Sequence, residues 1–275
     1  MNFAHLSDTH VLDKRSQTNQ LLELVDDGKK LAQTITAAVN HPQKPELLLI
    51  TGDLVHEGTA EDYAYFKSIL EDNCKGIPYV VCLGNHDRRQ AFWEGFMGEK
   101  GVAKPYVETT MINGLRIIAL DTSPVDGNEI GEMPQDQLDY LAEELKTAAP
   151  KGTIVILHHP PQGFVLKGFE GLCPVRDAFA GIVEGTDVKA VLSGHTHYLS
   201  CHSKNGVTYA TAASTAFSMD NAKKGDLDFI DACSYNLGRI TEDSVYVGTE
   251  TVNYQYKTLF TMKAADMEKM LKNQK

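Results

Sequence analysis

Glu46-Leu47-Leu48-Leu49-Ile50-Thr51-Gly52-Asp53 is an apolar, β-prone run that closes on a glycine and an aspartate. Runs of the same kind flank it at residues 3–6 and 77–83, and the stretches between them, residues 19–39 and 60–70, carry helical patterns. Strands alternating with helices imply parallel βαβ units, so the chain reads as α/β. Within residues 19–39, Leu21, Leu22, Val25, Leu31, Ile35 and Val39 recur at mixed three- and four-residue spacings, as one buried helix face requires. Glu23, Asp26, Lys29 and Lys30 fall on the opposite face.

Further along, Asn113-Gly114 is a strong turn signal and predicts a hairpin from residues 106–111 and 115–120. Residues 135–145 read as a helix opening at Pro134, residues 153–157 as a buried strand and residues 188–192 as another. A second hairpin is expected around Lys204-Asn205-Gly206, then β-prone segments at 237–240, 244–247 and 251–256, and a helix at 264–271. No linker or fixed-period repeat divides the chain, so one domain over residues 1–275 is expected.

The chain has 275 residues, 42% of them hydrophobic and 23% charged, which are the proportions of a folded soluble protein. Its 26 Lys and Arg against 37 Asp and Glu leave a formal charge of -11, which opposes binding to long nucleic acid and to anionic membranes. No apolar stretch approaches a bilayer span, and the first residues lack a basic segment followed by an apolar one; membrane insertion and secretion by a signal peptide are not expected. Cys74, Cys82, Cys173, Cys201 and Cys233 form no C-x-x-C pair, which suits buried thiols in a reducing cytoplasm.

Six of the ten histidines, His10, His86, His158, His159, His195 and His197, stand just after predicted strands and beside Asp, Asn, Gly or Pro. In open α/β sheets that is where ligand sites form, because loops converge there on a rigid scaffold. Asp8-Thr9-His10 would aim a carboxylate and an imidazole the same way if the chain stays extended, although an aspartate turn beside a surface histidine also fits. Gly52-Asp53 offers a carboxylate able to bridge two cations, or a plain tight turn. Gly84-Asn85-His86-Asp87 supplies a neutral oxygen, an imidazole and a carboxylate able to orient that imidazole. One of His158 and His159 reads as a ligand, the other as a hydrogen-bond donor or a wall of the substrate pocket. His195 and His197 share a side if extended, whereas His5, His41, His56 and His202 lack such company and read as ordinary polar residues.

Taken together, D-x-H, G-D, G-N-H-D, H and G-H-x-H in this order resemble the calcineurin-like metallophosphoesterases. The resemblance covers residues 1–215 and is closest to the class III cyclic nucleotide phosphodiesterase and glycerophosphodiesterase branch. Gly52-Asp53-Leu54-Val55-His56-Glu57-Gly58, Gly84 through Arg89, Leu120-Asp121-Thr122-Ser123, Gln137-Leu138 with Leu141, and His158-His159-Pro160-Pro161 ahead of Gly171-Leu172 all carry it. Departures are Glu57, where Asp or Asn is common, and the tail after Asp220.

The resemblance implies a four-layer αββα sandwich of two mixed sheets, with residues 221–275 an added segment for capping or dimerisation. It also implies two divalent cations, Mn, Fe or Zn, and a small-molecule phosphoester substrate; a homo-oligomer is compatible with it. Asp8, His10 and His197 would bind one cation, Asn85, His158 and His195 the other, and Asp53 would bridge them. His158 takes that role, not His159, because the family's ligand stands two residues before the first proline. Hydroxide held by the metals would attack phosphorus, Asn85, His159 and Arg89 would contact the substrate, and His86, oriented by Asp87, would assist the leaving group. A phosphomonoesterase, a nucleotide pyrophosphohydrolase or a non-catalytic scaffold on the same fold are the alternatives.

Overall fold

Successive side chains of a strand point to opposite faces, and in the computed structural model of this chain both faces of the apolar runs are covered. The structure describes residues 1–13, 21–125, 127–161, 176–220, 226–266 and 269. Its strands are β1 (Asn2–Leu6), β2 (Leu48–Thr51), β3 (Tyr79–Cys82), β4 (Glu108–Ile112), β5 (Leu115–Ala119), β6 (Thr153–Ile156), β7 (Val188–Ser193), β8 (Ser200–Lys204), β9 (Val207–Thr211), β10 (Ser218–Asp220), β11 (Leu227–Ile240) and β12 (Val245–Met262). The helices are α1 (Asp27–Val39), α2 (Ala60–Asn73), α3 (Arg89–Gly95), α4 (Gln135–Glu144) and α5 (Arg176–Val183).

One sheet has the order β10-β11-β1-β2-β3, with β12 pairing β11; the other has the order β4-β5-β6-β7-β9-β8. The strands β1, β2 and β3 are parallel, as are β5, β6, β7 and β9, while the hairpins and β11 supply antiparallel edges. Leu47 and Leu49 face the second sheet and meet Ile117, Ile154 and Leu192, whereas Leu48 and Ile50 turn the other way onto Leu31, Ile35 and Phe66 of α1 and α2. Ile118, Val155 and Val191 pack against Leu138, Leu141 and Phe179 of α4 and α5. The result is the expected αββα order of layers.

Both expected hairpins form, and Asn113, Gly114, Asn205 and Gly206 all have positive φ (50°, 85°, 51° and 82°), the conformation that matches a two-residue loop to strand twist. The helix expected over residues 19–39 is shorter. Val25 is extended and the Asp26 side chain accepts from Lys29 N, so α1 starts at Asp27, preceded by a single turn at Leu22–Leu24; residue 19 lies outside the described residues. Lys30 is not on a solvent face: it is buried, with Nζ 2.5 Å from Asp231 Oδ1 and donating to Ala216 O at 2.6 Å. Its partners come from a part of the chain that helix periodicity cannot see.

The β-prone tail segments belong to β11 and β12, an antiparallel ribbon whose residues 236–239 pair with residues 2–5 of β1. Residues 264–266 are helical, and most of the remaining helix expected there falls outside the described residues, as do Cys173 and Gly171-Leu172. Cys74, Cys82 and Cys233 are buried and Cys201 is exposed. No helix among the described residues is long and apolar enough to cross a membrane.

The loops after β1, β2, β6 and β7 meet at one pole, where Asp8 N donates to Gly52 O and Gly194 N to His158 O. Across that pole the two sheets are clamped by an ion pair. Arg89, at the start of α3, donates from Nε (2.9 Å) and Nη2 (3.2 Å) to the wholly buried carboxylate of Asp121, and from Nη2 to Ser123 O. The Asp121 carboxylate also accepts from Tyr106 N, Ser123 N and Ser123 Oγ. Arg89→Ala leaves that buried charge without its cation and should cost about 3–5 kcal/mol in urea unfolding. A loss below about 1 kcal/mol would mean that the remaining donors suffice.

Candidate metal centre

Asp8, His10, Asp53 and His197 place one ligand atom each within 4.8 Å of one another, and all four are buried. His10 Nε2 lies 3.0 Å from His197 Nε2, and His197 Nε2 lies 3.3 Å from Asp8 Oδ1. Two ligands of one cation, each about 2.1 Å from it, sit about 3 to 3.5 Å apart, so these spacings suit a shared ion. Asp53 stands at the junction: its Oδ2 is 3.7 Å from His10 Nε2 and 3.3 Å from His158 Nε2. On the far side His195 Nδ1 is 3.1 Å from Asn85 Oδ1, and the rings of His158 and His195 have centroids 5.1 Å apart.

The convergence does not come from extended backbone, as the spacing arguments assumed. Asp8 (φ 51°), His10 (46°), Asp53 (49°), His195 (70°) and His197 (49°) are all left-handed, a region that costs non-glycine residues energy and collects at functional sites. Tight turns let His195 reach Asn85 while His197 reaches His10 and Asp8. Two glycines make room: a Cβ on Gly84 would lie 2.3 Å from Asp53 Oδ1, and one on Gly194 would lie 1.8 Å from Ser7 Oγ.

The outer ring nitrogens of two of these histidines face backbone carbonyls. His158 Nδ1 donates to Thr51 O at 2.7 Å and His197 Nδ1 to Phe217 O at 2.8 Å, which turns both Nε2 atoms inward. His158 Nε2 is buried without a hydrogen-bond partner. Burial pulls the His158 pKa down, but the Asp53 and Asp8 carboxylates outweigh it and push the value up to about 10. In the same way burial pushes Asp53 up, while His158 and His86 hold it well below the usual carboxylate range. Burial brings His195 down to about 3 and His10 well below an ordinary histidine. Two buried carboxylates facing imidazoles whose Nε2 atoms turn inward form a donor set of oxygen and nitrogen that divalent transition metals fit.

Not every expected partnership is present. Asp87 does not orient His86: its Oδ1 accepts from Val55 N and Tyr63 Oη, its Oδ2 from Leu54 N and Gly84 N, and no acceptor site is left. It ties the loop after β2 to the loop after β3, and burial beside Asp53 pushes its pKa up to about 7. The carboxylate facing His86 is Glu57, 3.7 Å from Nδ1. Arg89 does not reach the centre either, since Asp121 and Ser123 occupy its guanidinium.

Other residues enter the site unannounced. His56 Nδ1 is 3.1 Å from His10 Nδ1, and its ring stacks on His86 with centroids 4.4 Å apart. Asn85 Nδ2 donates to Glu129 at 3.4 Å, and the Phe217 ring stacks on His10 with centroids 5.5 Å apart. Ser214 Oγ donates to Asp8 O. Only His56, three residues beyond Asp53, carried a signal in sequence, its nearness to the Gly-Asp turn.

The model of the calcineurin-like phosphoesterase family matches residues 1–199, a span containing all seven expected donors. A probable cyclic nucleotide phosphodiesterase of Rhodococcus erythropolis is 36% identical over 220 residues, 78% of this chain and 71% of that protein. A probable glycerophosphodiester phosphodiesterase of Arcobacter nitrofigilis is 28% identical over 237 residues, 84% of this chain and 85% of that protein. A dimetal phosphatase from Danio rerio shares the fold, with a TM-score of 0.64 over 93% of this chain and 99% of that one at 11% identity. With its sheet order, its clustered donors and this match, the chain belongs to the calcineurin-like phosphoesterases, a family of metal-dependent phosphoric ester hydrolases.

Proposed function

We propose that the protein hydrolyses phosphodiester bonds of small molecules, of the cyclic nucleotide or glycerophosphodiester type named in its relatives. The observation that carries this reading is Asp53 Oδ2, within 4 Å of both His10 and His158, which joins two sets of donors at one oxygen. Asp8, His10 and His197 would hold one divalent cation, Asn85, His158 and His195 a second, with Asp53 between them; the candidates are Mn, Fe and Zn.

Such a pair, when bound, supplies Lewis acidity at the phosphoryl oxygens and acidifies a water. The residues do the rest. Asp8 and Asp53 would offset about half of the charge of two divalent cations and leave the immediate surroundings positive, which attracts a phosphoester despite the chain's distant, screened excess of acid. His86 is held by its own backbone N–H on Asp53 Oδ1 at 2.9 Å, and its ring is partly exposed beside Glu57. From there it can deliver a proton to a departing alkoxide, Glu57 taking the orienting role first expected of Asp87.

A panel of cyclic nucleotides, glycerophosphodiesters and monoesters, run with Mn and with EDTA, tests the proposal. Diester hydrolysis that EDTA abolishes and Mn restores is expected; monoesters turned over faster than every diester would refute it. Asp53→Ala and Asn85→Ala should each abolish hydrolysis of bis(p-nitrophenyl) phosphate while circular dichroism stays unchanged, and full activity in either would sink the two-metal reading. His86→Ala should keep its metal and lose roughly 10² to 10⁴ in rate on esters with poor leaving groups. Equal losses on activated esters would remove the leaving-group role.

A further inference from the structure

His158 and His159 each end in an Nε2 that is buried and has no hydrogen-bond partner, yet their outer nitrogens show that the two atoms differ. His158 Nδ1 faces the Thr51 carbonyl, which can only accept, so Nδ1 carries a proton and Nε2 is the nitrogen that can turn to a cation. His159 Nδ1 faces a hydroxyl, Thr122 Oγ1, at 2.8 Å. That hydroxyl already accepts the His159 backbone N–H at 3.2 Å and has one proton of its own to give.

Both residues are 0% exposed, so solvent satisfies neither. A proton on Nδ1 would strand two groups, the Thr122 O–H and the Nε2 lone pair. Donation by Thr122 to Nδ1 strands only one, an Nε2–H. Each stranded group costs about 1–3 kcal/mol, so the second arrangement prevails.

The surroundings say where that N–H is spent. A Cβ on Gly131 would lie 2.4 Å from His159 Cγ and 2.7 Å from Nδ1, so Gly131 and Thr122 fill the Nδ1 edge of the ring. The ring packs on His195 (centroids 4.4 Å apart) and His158 (4.9 Å), and one nitrogen from each of the three lies within 4.8 Å of the others. Three imidazoles so placed resemble a cation site, but an N–H offers no lone pair to a metal. It offers a hydrogen bond to an oxygen anion.

We propose that His159 is a catalytic residue that donates from Nε2 to a phosphoryl oxygen of the substrate and is not a metal ligand. This rests on the two-cation reading above. The test compares wild type, His159→Phe and His159→Gln, each reconstituted with metal. All three should retain two equivalents by elemental analysis. Inhibition by inorganic phosphate should weaken by about 10- to 100-fold in the Phe variant and less in the Gln variant, which keeps a donor.

Loss of one metal equivalent in the Phe variant would make His159 a ligand and overturn the proposal. Full metal with unchanged phosphate inhibition would overturn it too, reducing His159 to packing. Should the Phe variant not fold, ¹⁵N correlation spectra of histidine-labelled, zinc-loaded wild type decide: a proton on His159 Nε2 supports the proposal, and one on Nδ1 overturns it. A wild type that binds fewer than two equivalents would refute the two-cation reading itself, and the tautomer measurement stands apart from that result.

Discussion

A carboxylate with almost no access to water, Asp53, is the constraint around which this pole of the molecule is built. An ionised group in such a place must be compensated by neighbouring charge and hydrogen bonds, or it would neutralise instead. Its compensation comes from both sheets: His10 and the His86 backbone lie on the loops after β1 and β3, and His158 lies on the loop after β6. The two sheets are thus joined at this pole by packing, by the Arg89 and Asp121 pair, and by a shared electrostatic requirement. His158 is the main partner in that compensation, and the Asp53 and Asp8 carboxylates push its pKa up to about 10 against the opposing effect of burial.

The backbone at the site bears its own cost. Five left-handed residues that are not glycine would be disfavoured in an isolated peptide, and surrounding structure fixes them. Asp87 links the loops after β2 and β3 by accepting from Leu54 N and Val55 N, and Ser214 holds Asp8 from behind while donors at Ala216 and Phe217 bond back to Ser214 Oγ. The side chains of the candidate centre therefore stand on loops that buried hydrogen bonds fix in place.

The layers, the parallel units and both hairpins were legible because they rest on local signals: apolar runs, helix periodicity and Asn-Gly turns. Asp8, His10, Asp53 and His197, which the fold brings together, stood out because each lies at a strand end in a short motif. What escaped was set by distance along the chain. Lys30 reads as a polar-face residue until Asp231 and Ala216 are folded onto it, and Arg89 reads as a free cation until Asp121 arrives from the other sheet. Asp87 and His86 are adjacent in sequence, which suggested a partnership that the turn geometry does not make. The short helices α3 and α5 gave too little periodicity to be seen, and β11 and β12 were read as scattered fragments because their pattern is broken by register shifts.

The pairing of β11 with β1 has a consequence for how the molecule comes into being. The Met1 amino group donates to Ile240 O, so contacts that seat the first strand span nearly the whole chain. During synthesis from the amino end, β1 has β2 available early on one side, but its other edge stays open until residues 227–240 emerge. His197 and the Ser214 hydroxyl that secures Asp8 also arrive late. A nascent chain stopped before them would hold Asp8 and His10 without the side chains that meet them in the folded chain, so this pole is completed only once both sheets are present.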